Sequence, residues 1–595
     1  MSADTTPTNP ADFNPPDSQT PEGGDYGPPP AMRDFRGGWA TIDKTVFGWA
    51  FGVIAVICIF GGIFHDKTEE WSGEALSWVI ENLGWFIILS ASAFVVFSLV
   101  LAFGRYGRIP LSRNGEEPEF RTISWIAMMF SAGMGIGLMF YGVYEPAFHT
   151  ADPPPFSSAE PDSAAAAHDA MAITFFHWGL HPWGMYAVVG LALAYSTFRM
   201  GRGNLMSSPF MSVLGPERMR RGWGKPIDIL AIITTKFGSA VSLGLGSLQM
   251  AAGFKLLSSG EVEGEGSNRA AIIIIMVLTV GIVLSAASGV AKGIQFLSNL
   301  NMIIAGLLVL FVFVAGPTVF MLDLFPNAIG AYLSDIIPLS FNSAAFGGAE
   351  TSEWLSTWTI FYWAWWISWT PFVGTFIARI SRGRTIREFV LGVMLVPTAI
   401  SAVWFVVFGG AGIDLQLGGV NIAGADNEAA GFYNMLDQYP WLPITAGTVI
   451  FLTAIFFVSG ADAGAVVLST LSSRGRKEPW EPLIVLWAVM TGVVAAVLLA
   501  VGGLGALKTF AILAATPFTL VLIGMCFCLY IDLRRDPLRE RRAGPVRGHV
   551  PVTAPEYAPF SDADLATNGD GTSGNGTSGN GLSPDRQAEP EKEPE

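Results

Sequence analysis

The stretch WTIFYWAWWISWTPFVG, residues 358–374, carries no charged side chain and leads into ARISRGRTIREF, residues 378–389. An apolar run long enough to cross hydrocarbon, closed by a cluster of arginines, is the pattern of a membrane helix with a marked cytoplasmic end. Working outward, the same pattern repeats. The 595 residues are only 14% charged and include 68 glycines, the mean hydropathy is +0.45, and apolar runs of about 20 residues recur throughout. The short alternating segments of a transmembrane barrel are absent. Lipid leaves only helices or closed barrels able to satisfy their backbone, so the chain reads as an all-α integral membrane protein.

The net charge of −15 is carried by the tails and several loops, and no basic surface suggests nucleic acid. Cys58 lies in the first apolar run and Cys526 and Cys528 in the last, which is no disulfide framework but the placement of packed or lipid-facing thiols. Residues 1–43 are rich in Pro, Asp, Thr and Gly and lack the apolar core of a signal peptide, so they read as a disordered cytoplasmic tail. Residues 44–532 form the expected transmembrane domain. Residues 533–595 form a C-terminal tail, first basic, then Gly/Ser-rich and acidic. Its glycine density opposes helix formation.

About 12 spans are expected, near residues 44–64, 79–103, 120–146, 168–198, 227–254, 270–288, 293–322, 354–380, 386–413, 443–470, 480–503 and 509–532. Basic residues follow the even-numbered spans: Arg105, Arg108 and Arg113; Arg199, Arg202, Arg218, Arg220, Arg221 and Lys225; Arg379, Arg382, Arg384 and Arg387; Arg474, Arg476 and Lys477; Arg534 and Arg535. Acidic residues occupy the odd-numbered loops: Asp66, Glu69 and Glu70; Asp152, Glu160 and Asp162; Glu261, Glu263 and Glu265; Asp414, Asp426 and Glu428. By the positive-inside rule both termini are cytoplasmic. Span three is interrupted by Gly133, Gly135 and Gly137, and span eight carries Ser368, Pro371 and Gly374. Interruptions five spans apart predict a 5+5 inverted repeat, spans 3–7 and 8–12, with a site at the midplane and two extra helices in front.

Tyr362, Trp365, Trp366 and Trp369 fall at i, i+3, i+4 and i+7, on one helical face. Span four adds Trp178, Trp183 and Tyr186 around Pro182. An interfacial belt would place such rings at the ends of a span, whereas these sit near the middle. A cage for a quaternary ammonium group fits better, because that cation has no N–H donor and is held by ring quadrupoles. Such a cage needs no buried carboxylate, which is costly at this depth. The interrupted backbone at Gly133–Gly137 could offer free N–H groups to a substrate carboxylate, so that two helices match the two ends of a zwitterion.

SAGMGIGLMFYGVYEP (131–146), FHWGLHPWGMY (176–186) and the opening stretch with its arginine-rich continuation resemble the signature segments of the betaine/carnitine/choline transporter family, most closely actinobacterial glycine betaine:sodium symporters. The resemblance runs from the first span to the last. It implies a LeuT-like fold, a homotrimer, and import of trimethylammonium solutes with sodium as coupling ion and no other cofactor. It implies that Trp178, Trp183, Tyr186, Trp366 and Trp369, with Gly133, Met134, Gly135, Gly137 and Phe372, bind substrate. Trp363, Trp365 and Phe376 would line the pathway or back the cage. It places one sodium ion at Ser131, Met134, Phe456, Ser459 and Gly460, and a second at Thr235, Ser239 and Phe372. Gly460 departs from the pattern, since a hydroxyl residue is expected there.

Lys236 lies between Thr235 and Ser239 and has two readings. It either snorkels to the interface or points inward as a fixed charge near the sodium sites, with Asp462 as its counter-charge. His177 and His181 have the spacing of a metal pair, but no third ligand is near in sequence and packing around Trp178 explains them. Glu145, before Pro146, reads as a structural residue at a helix end. No P-loop, zinc motif or nucleophile elbow supports an enzyme. A sodium-coupled importer of a betaine-type osmolyte is therefore the leading expectation. Proton-coupled or uncoupled exchange of betaine, choline, carnitine or ectoine-type solutes is the alternative within the fold, and a receptor or channel for quaternary ammonium compounds the alternative outside it.

Overall fold

The computed structural model describes residues 39–540 except 114–115, 134, 261–266, 289–290, 425–427 and 477, and leaves the side chains of 130–134, 267, 285–298 and 539–540 undescribed. Residues 1–38 and 541–595 of the two tails, the Glu261–Glu265 loop, Asp426 and Lys477 therefore lie outside the described residues. The described chain is helical throughout: α1 Lys44–Ile63, α2 His65–Phe103, α3 Thr122–Gly133, α4 Ile136–Ala151, α5 Ala164–Trp178 and α6 Leu180–Ala194. There follow α7 Met211–Arg220, α8 Lys225–Ser259, α9 Ser267–Ser288, α10 Ala291–Ala315, α11 Thr318–Ser340 and α12 Gly348–Leu355. The last are α13 Phe361–Ile380, α14 Ile386–Trp404, α15 Gly410–Leu417, α16 Gly431–Asp437, α17 Leu442–Ser472 and α18 Glu481–Arg535.

Among the described residues, six helices are long and apolar enough to cross a membrane, or seven when the pair 299–315 and 318–340, bent by 110°, counts as one. This differs from the twelve runs read in the sequence for identifiable reasons. Runs three and four are each divided, α3 from α4 and α5 from α6. Runs eleven and twelve form the single 55-residue α18, which breaks its helical geometry at Gly502 and Gly503. Gly503 adopts φ +60°, which glycine reaches without a Cβ penalty. Between the expected spans 293–322 and 354–380, α11 and α12 occupy most of residues 323–353.

The expected interruption of span eight at Ser368–Gly374 is not there. α13 runs unbroken through Pro371. Proline removes the N–H that would bond the carbonyl four residues earlier, and the Thr370 hydroxyl donates to that carbonyl, Ile367 O, at 2.7 Å. Substitute donors of this kind are how a membrane helix tolerates proline. Irregularity appears upstream instead, as a π-turn over Ser356–Ile360.

The charged loops separate into two ends. At one end Arg199 Nη2 donates to Asp536 Oδ1 at 3.0 Å and Arg202 Nη2 to Asp532 Oδ1 at 3.1 Å, tying the exit of α6 to the exit of α18. Burial alone would raise the Asp536 pKa, but the Arg199 hydrogen bond and charge outweigh it and hold the carboxyl below its ordinary value. Leu111 N bonds Arg384 O, Ile386 N bonds Ile109 O, and Asp43 N bonds Ser472 O, so the basic segments after spans two, eight and ten gather there too. Asp43 also caps α1 through Thr45 N and Val46 N and pairs with Lys225 Nζ at 3.0 Å. At the other end Gln416 Nε2 donates to Asp162 Oδ1 at 3.0 Å and Lys508 pairs with Glu428. The alternation of basic and acidic loops thus becomes a basic end and an acidic end.

Candidate functional site

α3 stops at Gly133, and α4 begins at Ile136 after Gly135, which is extended and offers no side-chain cap. The first N–H groups of α4 therefore end free of a capping residue. Ser131, Gly133 and Met134 have no described side-chain placement. One face of α4 then presents Gly137, Tyr141 and Glu145, four residues apart each time. A Cβ on Gly137 would stand 2.6 Å from Trp365 Cη2 and 2.7 Å from Trp178 Cη2. The missing side chain is what lets two indoles close over the start of α4.

Those indoles form a box. Trp365 and Trp366 stack with centroids 5.0 Å apart and planes 14° from parallel. Trp178 meets Trp366 edge-on at 4.9 Å, Tyr362 at 5.5 Å and Trp365 at 6.2 Å. Tyr186 closes on Trp366 at 6.3 Å and is backed by Trp183 at 5.3 Å. Most of these rings are buried. Trp366, Trp369, Phe372 and Phe376 are only half-buried, and they mark the open stripe of α13. Trp369 contacts Phe372 edge-on at 5.4 Å. Trp363 faces the other way, stacked on His181 at 5.1 Å, so it backs the cage.

Behind the box lies a carboxylate that sequence reading set aside as structural. Glu145 is fully buried. Its Oε2 accepts from Trp178 Nε1 at 2.8 Å and from Tyr362 OH at 2.5 Å, and its Oε1 is 2.7 Å from His177 Nδ1. His177 Nε2 is 3.0 Å from Thr359 Oγ1, and Trp366 Nε1 donates to His177 O at 3.0 Å. One carboxylate and one histidine thus fix the orientation of three cage rings. Glu145 supplies no wall of the box, but it hydrogen-bonds the rings that do. The available signal was an isolated acid within an otherwise uncharged run, which is functional by default at such depth.

His177 and His181 do not act as a pair. The helix divides at Gly179, and His181 points to Ser340 Oγ at 3.1 Å on α11. The division is itself supported by α11, whose Tyr332 hydroxyl accepts from Leu180 N at 3.1 Å. Glu145, His149 and His177 do bring ligand atoms within 4.8 Å of one another. The atoms of Glu145 and His177 are already engaged by Trp178, Tyr362, Thr359 and each other, whereas both ring nitrogens of His149 are buried without a hydrogen-bond partner.

The residues expected to hold sodium differ in what their oxygens do. Ser239 Oγ is spent on Thr235 O at 2.8 Å, while Thr235 Oγ1 is buried without a partner. At the first expected site, Ser459 Oγ bonds its own helix at Ile455 O and Phe456 O, and a Cβ on Gly460 would meet nothing within 4 Å. Lys236 is fully buried and does not snorkel. Nor does it answer Asp462: its Nζ donates to Trp487 O at 2.7 Å and to Thr491 Oγ1, and it lies 5.1 Å from the Trp487 ring. Among the described residues it forms no ion pair. The ammonium is held by α18, through carbonyl, hydroxyl and ring.

The Gly137 packing gives a direct test. Gly137→Ala forces two indoles to move by several tenths of an ångström, because they are rigid and already packed against other rings. Affinity for a cationic solute, read by tryptophan fluorescence quenching, is expected to fall about tenfold, while the helix content of the purified protein stays unchanged.

Residues 45–538 match the model of the betaine/carnitine/choline family of transporters. The chain is similar to the betaine/ectoine transporter LcoP of Corynebacterium glutamicum, 43% identical over 508 residues covering 84% of this chain and 80% of that one. It is similarly related to the glycine betaine transporter OpuD of Bacillus subtilis, 42% identical over 504 residues covering 84% and 96%.

Proposed function

The chain belongs to the betaine/carnitine/choline transporter family, and from that premise we propose that it is a secondary transporter importing glycine betaine or a closely related zwitterionic osmolyte by sodium-coupled alternating access. It is a multi-pass membrane transporter and not an enzyme. The observation that carries the substrate assignment is the half-buried Trp366, stacked on Trp365 and met edge-on by Trp178. Desolvated rings so arranged attract a cation that cannot donate hydrogen bonds, at about 2 kcal/mol or more per contact. The first N–H groups of α4, next to Gly137, are suited to the substrate carboxylate. Relatives named for glycine betaine and for ectoine are consistent with a site that selects a compact zwitterion.

The finer expectations belong to the same proposal: about 12 spans in a 5+5 inverted repeat, a homotrimer, and both termini cytoplasmic. The gathering of basic loops at one end supports the last of these. Sodium is favoured by Thr235 Oγ1, a buried oxygen without a partner beside Ser239. Gly460, which lacks the side-chain hydroxyl expected at the other site, favours the rival of proton-coupled or uncoupled exchange. Uptake of labelled glycine betaine into proteoliposomes separates them. Accumulation is expected with an inward sodium gradient and not with a proton gradient alone. Equal uptake without sodium would refute sodium coupling, and no uptake under any gradient would refute the transporter assignment for this solute.

A further inference from the structure

Lys508 stands on α18 just past the Gly502–Gly503 break, at the acidic end of the molecule. Its Nζ lies 5.0 Å from the Phe361 ring centroid, 5.8 Å from Tyr141 and 5.9 Å from Trp358. The same ammonium pairs with Glu428 Oε1 at 3.0 Å, and the two side chains are only 13% and 26% exposed. Glu428 opens the short 3-10 turn before α16. The rings under Lys508 are continuous with the cage: Tyr141 is 6.4 Å from Trp178 and 6.3 Å from Trp365, and Phe361 stacks on Trp365 at 5.6 Å. A cation belonging to the protein is therefore docked on aromatic surface one ring outside the place proposed for the substrate's cation.

We propose that Lys508 is a specificity-determining residue, a tethered cation on the acidic-end wall of the cage that disfavours solutes of net positive charge and favours zwitterions. Two physical consequences follow from its placement. The ring faces nearest the acidic end are already engaged by an ammonium, so an incoming quaternary cation gains little there. The fixed charge, shielded from salt by its burial, also repels a lone cation approaching the box, whereas a zwitterion offsets that repulsion with its carboxylate. Glu428 moderates the effect by neutralising part of the charge, and it links the loop before α16 to α18. This deepens the proposed function and rests on it.

The test compares glycine betaine with choline, which shares the trimethylammonium group and lacks the carboxylate. Dissociation constants for both are measured by tryptophan quenching on purified wild type, Lys508→Gln, Lys508→Arg and Glu428→Gln. The choline-to-betaine ratio is expected to fall about tenfold in Lys508→Gln. Lys508→Arg should keep the wild-type ratio and Glu428→Gln should raise it, since the lysine is then unneutralised. A ratio within twofold of wild type in Lys508→Gln, or an equal fall in Lys508→Arg, overturns the proposal. Should Lys508→Gln not fold, Glu428→Gln decides alone: an unchanged or lowered ratio overturns it. Because binding is read directly, failure of wild type to accumulate betaine in liposomes refutes the transport reading without touching this ratio.

Discussion

Replacing Trp366 with alanine is expected to weaken glycine betaine binding by about a hundredfold. One desolvated ring contact with a cation contributes about 2 kcal/mol or more, which is about thirtyfold in affinity. The remainder comes from the walls that Trp366 supports. It stacks on Trp365, receives the edge of Trp178, and anchors itself through Nε1 to His177 O. Its loss removes the ring against which both neighbours pack. Trp366→Phe keeps a ring and loses the anchoring hydrogen bond, so it should fall between, at about tenfold. Trp363→Phe is the control, because Trp363 stacks on His181 away from the box and its indole N–H has no partner to lose. Titration calorimetry on the purified proteins measures all three. A Trp366→Ala protein that binds within twofold of wild type would show that the substrate does not touch this box.

The aromatic rings of this site were legible in the sequence because helical spacing alone puts them on one face. The helices were legible for the same reason that membrane helices generally are: lipid permits few alternatives. What was hidden depends on contacts distant in sequence. Glu145 reaches donors 32, 33 and 217 residues away, so nothing local distinguishes it from an acid at a helix end. The continuity of α13 turns on which way one hydroxyl points, that of Thr370. Lys236 is flanked by the residues of an expected ion site, yet its side chain leaves that face and bonds α18. The i, i+4 relation of His177 and His181 assumed an unbroken helix, and Gly179 breaks it. α11 was passed over because Asp323, Pro326, Asp335 and Pro338 interrupt its apolar pattern, although it provides the Tyr332 hydroxyl at the Gly179 break.

Glu145→Ala is expected to abolish measurable betaine binding and to destabilise the protein in the same step. The substitution strands Trp178 Nε1, Tyr362 OH and His177 Nδ1 in a fully buried place, and each stranded polar group costs about 1–3 kcal/mol. Water could relieve part of that cost in the vacated space, yet it would not fix the rings in their present planes. Glu145→Gln separates charge from geometry. An amide fits the same volume but has one acceptor oxygen, so with that oxygen serving Trp178 and Tyr362 its NH2 faces His177, which must then turn an unprotonated Nδ1 toward it. Binding should therefore survive in weakened form in Glu145→Gln and vanish in Glu145→Ala. Thermal unfolding in detergent, with and without glycine betaine, reads both effects at once. Wild type should gain stability from the ligand by mass action, and Glu145→Ala should start lower and gain nothing. If Glu145→Ala were as stable as wild type and still responded to betaine, the carboxylate would be a bystander and the indoles would hold their planes by packing alone.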